Sequence, residues 1–336
     1  MTHVRNIADN NIVASVVNHY GINTFKALLV DRTRSVGKRG SARHNIYWAT
    51  DEYISMGPGF MPADEIQLSL ITGPRSSVIR PRVTKAIEAQ TARTKGKAEV
   101  FTPSWLCNRM NNDMDEVFFK YRDAFNTESS DNRSWKPSEE VSFAEAQGTW
   151  RQYVSNRMLE ITCGEAPFLC SRYDTTTGDI LEIPYRIGIL DRKLRVITEN
   201  TSSYDAWWKH AKIALRNVYG YEYQGDSLLI ARINVLMTMA EWKQFCWGEW
   251  LSEKEVKEVL KIISWNFWQM DGLTDRIPDV ADGSRWGIQA QLPGFEEFGI
   301  ETSEERTPLC KVCDWNHNKE KVTFASIKVE EEGRLL

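Results

Sequence analysis

Between residues 157 and 272 the hydrophobic and polar positions switch repeatedly between two spacings. The run RMLEIT (157–162) is short and apolar, ends in a turn and continues as APFLCSRY, which predicts strand, turn and helix. Residues 204–217 (YDAWWKHAKIALRN) read as a helix, and VYGYEY (218–223) is rich in β-formers. SLLIARINVLMTMAEW is a strong helix pattern. Ser252 with Glu255 makes a capping box for the helix EKEVKEVLKII. IISWNFWQ is then a third β-type run, closed by Met270, Asp271 and Gly272. This β, α, β, α, β order predicts a parallel α/β sheet, with ligands at the carboxyl ends of its strands.

The flanks are less regular. Residues 127–140 are polar and read as a surface loop, while 271–308 are interrupted by Pro278, Gly283, Gly287, Pro293, Gly294, Gly299 and Pro308. VTFASIKV (322–329) alternates as a strand would. The expected division is a basic N-terminal region over 1–95, a cofactor-binding domain over 96–275 and an irregular C-terminal region over 276–336.

Composition narrows the class. With 336 residues, 42% apolar and 26% charged, the chain is that of a folded protein rather than a disordered one. No window approaches ~18 unbroken apolar residues, so no membrane segment is expected. The N-terminus lacks a signal pattern, and six cysteines over this length do not resemble a disulfide framework. A reducing cytoplasm is the expected setting. Net charge is −4, yet residues 1–97 hold 14 Lys and Arg against 7 Asp and Glu. Arg32, Arg34, Lys38, Arg39 and Arg43 are therefore candidates to lie along the phosphates of DNA, although a solvated face would look the same.

Acidic groups recur at three successive strand ends: Glu160, Glu222 and Asp271. Small residues in the turn after the first strand let a ligand approach the backbone, and a carboxylate at a later tip can take both hydroxyls of a ribose. The three together suit a nucleoside-like ligand.

These segments also carry a resemblance. LEITCGEAPFL resembles the cofactor loop LDPACGSGAFL of the adenine-N6 DNA methyltransferases of restriction–modification systems. Ala98-Glu99-Val100-Phe101-Thr102-Pro103 is similar to that family's Phe-Thr-Pro segment, which covers the methionine end of S-adenosylmethionine. VYGYEYQGDSLLIARINVL resembles the segment IYGVDIDPxAVxLARLNL, and NFWQMDGL the segment NIxxGDxL. The four occur in the family's order over 98–273. The resemblance implies a Rossmann-like class I methyltransferase sheet that binds S-adenosylmethionine through Phe101, Thr102, Pro103, Glu160, Thr162, Cys163, Gly164, Glu222 and Asp271. Glu222 would hold the ribose hydroxyls and Asp271 the adenine amino group.

Three departures accompany the match. Glu165 stands where the family has a small residue, and Ala166 where it has a second glycine. The adenine clamp, Asn/Asp/Ser-Pro-Pro-Tyr/Phe/Trp, is absent because the sequence contains no Pro-Pro. Ser264-Trp265-Asn266-Phe267 has similar ends, precedes Asp271 and reads as strand; Gly57-Pro58-Gly59-Phe60 lacks the polar lead residue. Only 65 residues follow Asp271, so the family's seven strands, ordered 3-2-1-4-5-7-6, are expected to stop at the 3-2-1 side. The first strand would then present an open edge, to be covered by the N-terminal region or by a second chain that completes the sheet and brings the clamp. The implied function is the cofactor-binding part of a split DNA adenine-N6 methyltransferase. A non-catalytic DNA- or protein-binding subunit is the alternative, and an enzyme acting on RNA or a small molecule stays open.

Other signals are weaker. Cys310-Lys-Val-Cys313 with His317 is half a zinc site, and no metal is expected. The five histidines form no spaced set, no phosphate loop of the GxxxxGK[ST] type occurs, and Cys163 is expected to pack rather than react. Three of Trp207, Trp208, Trp247 and Trp250 are expected in the core.

Overall fold

A computed structural model describes residues 6–35, 43–85, 102–131, 133–280, 307–315 and 319–328. Its helices are α1 (Ile12–Tyr20), α2 (Ile22–Leu28), α3 (Leu68–Ile71), α4 (Ser104–Phe119), α5 (Trp150–Ser155), α6 (Ile189–Asn200), α7 (Tyr204–Arg216), α8 (Gly225–Trp247) and α9 (Glu253–Asn266). Its strands are β1 (Asn126–Glu128), β2 (Trp135–Pro137), β3 (Met158–Glu160), β4 (Val218–Glu222), β5 (Phe267–Gln269), β6 (Lys311–Asp314) and β7 (Glu320–Thr323). No helix among the described residues is long and apolar enough to cross a membrane.

The centre is a parallel sheet in the order β3-β4-β5, as the alternating pattern requires. Val218, Gly220 and Phe267 face the main core against α8 and α9. α8 is buried along most of its length, which explains why its apolar residues run all round it. Tyr221, Trp268 and Met270 form a second cluster, covered by Cys310, Val312 and Phe324 from the C-terminal residues.

The two edges of the sheet are finished differently. Arg232 of α8 donates to the Phe267 carbonyl at 2.6 and 2.9 Å, and the Cys310 thiol donates to that of Gln269 at 3.3 Å. These side chains close the β5 side. Arg232 also reaches the carbonyls of Leu28 and Val30, and the Gln269 amide grips both main-chain groups of Tyr47. The N-terminal residues therefore pack against β5, α8 and α9. β3 pairs only with β4 among the described residues, and Leu159 and Ile161 beside that edge are 42% and 64% exposed.

Four local expectations are corrected. Residues 166–173 (APFLCSRY) form turns and a bridge, not a helix; the chain enters them through left-handed backbone at Gly164 and Ala166, and the helix begins at Ile189. Ser264-Trp265-Asn266 is the last turn of α9, and the strand starts only at Phe267. The Ser252–Glu255 capping box forms and sends the helix on to Asn266, whose amide caps the carbonyls of Leu215, Arg216 and Val218. A short apolar run does not by itself distinguish buried helix from strand. Residues 127–140 contain the antiparallel β1–β2 pair. In 322–329 the strand ends at Thr323 and residues 324–328 are helical, because Thr323 Oγ1 accepts from Ser326 N and starts a turn; residue 329 lies outside the described residues.

Candidate functional site

The turn after β3 is built on left-handed backbone. Thr162, Gly164 and Ala166 have φ of 45°, 53° and 63°. The reversal is held by Cys163 N–H to the Tyr221 carbonyl at 2.8 Å and Ala166 N–H to the Cys163 carbonyl at 2.6 Å. A glycine adopts such angles without steric cost, so the backbone at Ala166 has the conformation that a glycine there would favour. A side chain built at Gly164 would meet no atom within 4 Å, so its outer side is open.

Glu165 does not fill that space. Its carboxylate points inward, accepting from Arg82 N–H at 2.6 Å and from the Tyr173 hydroxyl at 2.6 Å. The bulky residue in the turn thus ties the N-terminal region to the sheet.

The acidic tips come together. Glu222 Oε2 accepts from Gly164 N–H at 2.8 Å, and Oε1 from Tyr223 and Gln224 N–H at 2.9 and 3.0 Å. Glu160 is buried and accepts from Phe168 and Leu169 N–H; burial, with Glu222 nearby, pushes its carboxyl up to about 8. Glu222 lies opposite Gln269 in the sheet, and Met270 N–H bonds to the Glu222 carbonyl at 3.1 Å. Asp271 follows directly in a tight turn, with Oδ1 accepting from Leu273 N–H at 2.9 Å. Burial raises the Cys163 thiol well above its ordinary value, which makes it a packing group.

Thr102 and Pro103 approach from the side. The Thr102 carbonyl accepts from Thr175 Oγ1 at 2.8 Å, and Ser104 N–H, at the start of α4, donates to Asp174 at 2.7 Å. Cys107, one turn further, is buried, which raises its thiol well above the ordinary value. Phe101 lies outside the described residues.

The basic cluster divides. Arg34 is bound into the fold by Asp31 at 2.6 Å, Glu65 at 2.9 Å and the Asn45 carbonyl. Arg32 Nε donates to Ser264 Oγ at 2.8 Å, whereas Arg43 is exposed. Lys38 and Arg39 lie outside the described residues, as does His317. Cys310 and Cys313 are buried. Trp207 and Trp208 are buried, Trp247 packs against the core, and Trp250 is 39% exposed.

Several residues that shape the site carry no local sequence signal. A side chain at Gly225, where α8 begins, would lie 1.8 Å from the Tyr47 carbonyl oxygen, so only glycine fits. Beside it Asp226 is buried, accepting from the Tyr53 hydroxyl at 2.8 Å and from Lys85 at 3.1 Å. Their partners are remote in sequence, and only the fold brings them together. Comparison with known protein families, curated proteins and solved structures finds no match to this chain.

Proposed function

We propose that this chain is the S-adenosylmethionine-binding part of a DNA adenine-N6 methyltransferase of the restriction–modification kind. A second polypeptide supplies the adenine clamp. The contact between Gly164 and Glu222 carries the reading, since it draws the turn after one parallel strand to the acidic tip of the next. A ligand seat at the carboxyl ends of parallel strands is the general expectation for such sheets. The left-handed backbone at Gly164 and Ala166 suits the two-glycine loop of the family, and the inward Glu165 leaves the turn clear. The cofactor supplies a methyl group on a sulfonium. Glu222, oriented by its N–H donors, would accept from the ribose hydroxyls, and Asp271 would accept from the adenine amine.

The need for a partner rests on the absence of Pro-Pro from the sequence and on β3 pairing with β4 alone among the described residues. The same absence favours, as a second reading, a non-catalytic subunit that keeps the fold as a scaffold for DNA or protein. Isothermal titration with S-adenosylmethionine separates the two. One site per chain, weakened at least tenfold by Glu222→Ala and by Asp271→Ala, is expected; wild-type protein that gives no binding would end the methyltransferase reading.

A further inference from the structure

The amino-terminal end of the sheet, opposite the acidic tips, gathers cations from four remote parts of the sequence. Arg32 sits 5.8 Å from the ring of Trp265 and Lys321 5.6 Å from the same ring. Asp31 N–H bonds to the His44 carbonyl at 2.9 Å, which brings the segment of Arg43 beside that of Arg32. Lys321 lies opposite Cys313 in the β6–β7 pair, Lys261 is on α9, which packs against β6, and Arg216 lies 5.6 Å from the ring of Trp315. Trp315 in turn donates to Asn266 Oδ1 at 2.6 Å, so the two ring-and-cation pairs share one surface.

Among the described residues few acids offset this charge. Asp314 is engaged by Arg157 at 3.4 Å, and Glu320 is the other carboxylate of the β6–β7 pair. Lys212 and Glu258 beside the patch neutralise one another at 2.7 Å. The result is a strongly positive face on a chain whose net charge is −4. Lys261, Lys319, Lys321 and Arg43 are exposed. Trp265 is 7% exposed and serves as a platform that fixes cations, not as a ring offered to bases.

We infer that this face is a seat for the phosphate backbone of duplex DNA, separate from the strand tips. Cations spread over a rigid surface match a polyanion of regular charge spacing, and each neutralised phosphate releases counterions. None of the large apolar side chains exposed among the described residues belongs to this face, which therefore has nothing to insert into a lipid surface. Arg216 precedes β4 and Asn266 precedes β5, while Glu222 ends β4 and Asp271 follows β5. At roughly 3.3 Å per residue, the length of β4 separates the two ends. The seat therefore works whether or not the cofactor reading holds.

The test is fluorescence anisotropy of the full chain with a labelled 20-base-pair duplex of mixed sequence, across a salt series. Wild type is expected to bind with an affinity that falls linearly in log–log salt. Lys261→Gln/Lys321→Gln should lose at least tenfold and reduce the slope by about 2. Lys120→Gln/Arg133→Gln, which removes equal charge from exposed positions on other elements, should change affinity less than twofold. Adding S-adenosylmethionine should leave duplex affinity unchanged. Equal losses in both double variants, no duplex binding by wild type, or binding to phosphatidylserine vesicles in place of the duplex would each overturn the proposal. Matching thermal melts of the variants exclude unfolding as the cause.

Discussion

The main-chain N–H of Gly164 donates to Glu222 Oε2 at 2.8 Å, which fastens the turn after β3 to the tip of β4. Three N–H groups converge on this one buried carboxylate. Glu222→Ala leaves them without their acceptor and should cost about 1–3 kcal/mol of stability. Glu222→Gln keeps one acceptor oxygen and should recover part of the loss. Urea unfolding of the three proteins measures both steps.

Glu165 carries a structural load that its place in a candidate binding turn conceals. Its contacts to Arg82 N–H and the Tyr173 hydroxyl are both buried. Glu165→Ala should destabilise by about 1–3 kcal/mol through unmet donors. Amides around Arg82 should also exchange faster with deuterium, because their anchor to the sheet is gone. Unchanged exchange there would mean that the N-terminal residues are held by other contacts alone.

Ala166 has a φ of 63°, which is strained for a residue with a Cβ. Ala166→Gly should relieve that strain against the greater freedom of glycine in the unfolded chain and the lost burial of one methyl. A change within about 1 kcal/mol of wild type, on the stabilising side, is expected from urea midpoints. A loss of several kcal/mol would show that the turn is not left-handed at this residue.

Two buried groups give stability opposite pH trends. Burial raises Glu160 from 4.5 to about 8, so between those values the folded chain holds a proton that the unfolded chain has released. That contribution is complete below 4.5 and is lost as pH rises through 8. Lys193 donates to the carbonyls of Asn156 and Asn217, and burial lowers it from 10.5 to about 7. Between 7 and 10.5 the unfolded chain binds the extra proton, so stability climbs with pH. Each slope has a ceiling of about 1.4 kcal/mol per pH unit. Glu160→Gln should flatten the first window and Lys193→Met the second, in urea melts across pH.

Much of the central architecture is legible in the sequence, because its signals are local. The Ser252–Glu255 box, the apolar length of α8 and the β-formers at 218–222 specify their elements within a turn or two. Reading fails where a distant partner decides. Ser264–Asn266 stays helical although its composition suits a strand, and Asn266 ends the helix by capping carbonyls some 50 residues away. Glu165 looks obstructive in sequence, yet Arg82 and Tyr173 turn it aside. Gln269 grips Tyr47 across 222 positions, and Arg232 reaches the Leu28 carbonyl across 204, contacts that no periodicity reveals. Among the site residues, Glu160, Glu222 and Asp271 share an origin at strand ends, which is why spacing alone brings them into view.

Hydrogen exchange of the full chain with and without saturating S-adenosylmethionine tests the central claim most directly. Slowed exchange at Gly164, Tyr223 and Gln224, the donors to Glu222, is expected together with slowing around Leu273 beside Asp271. Identical exchange at all of them, at a cofactor concentration that occupies any site detected by titration, would contradict it.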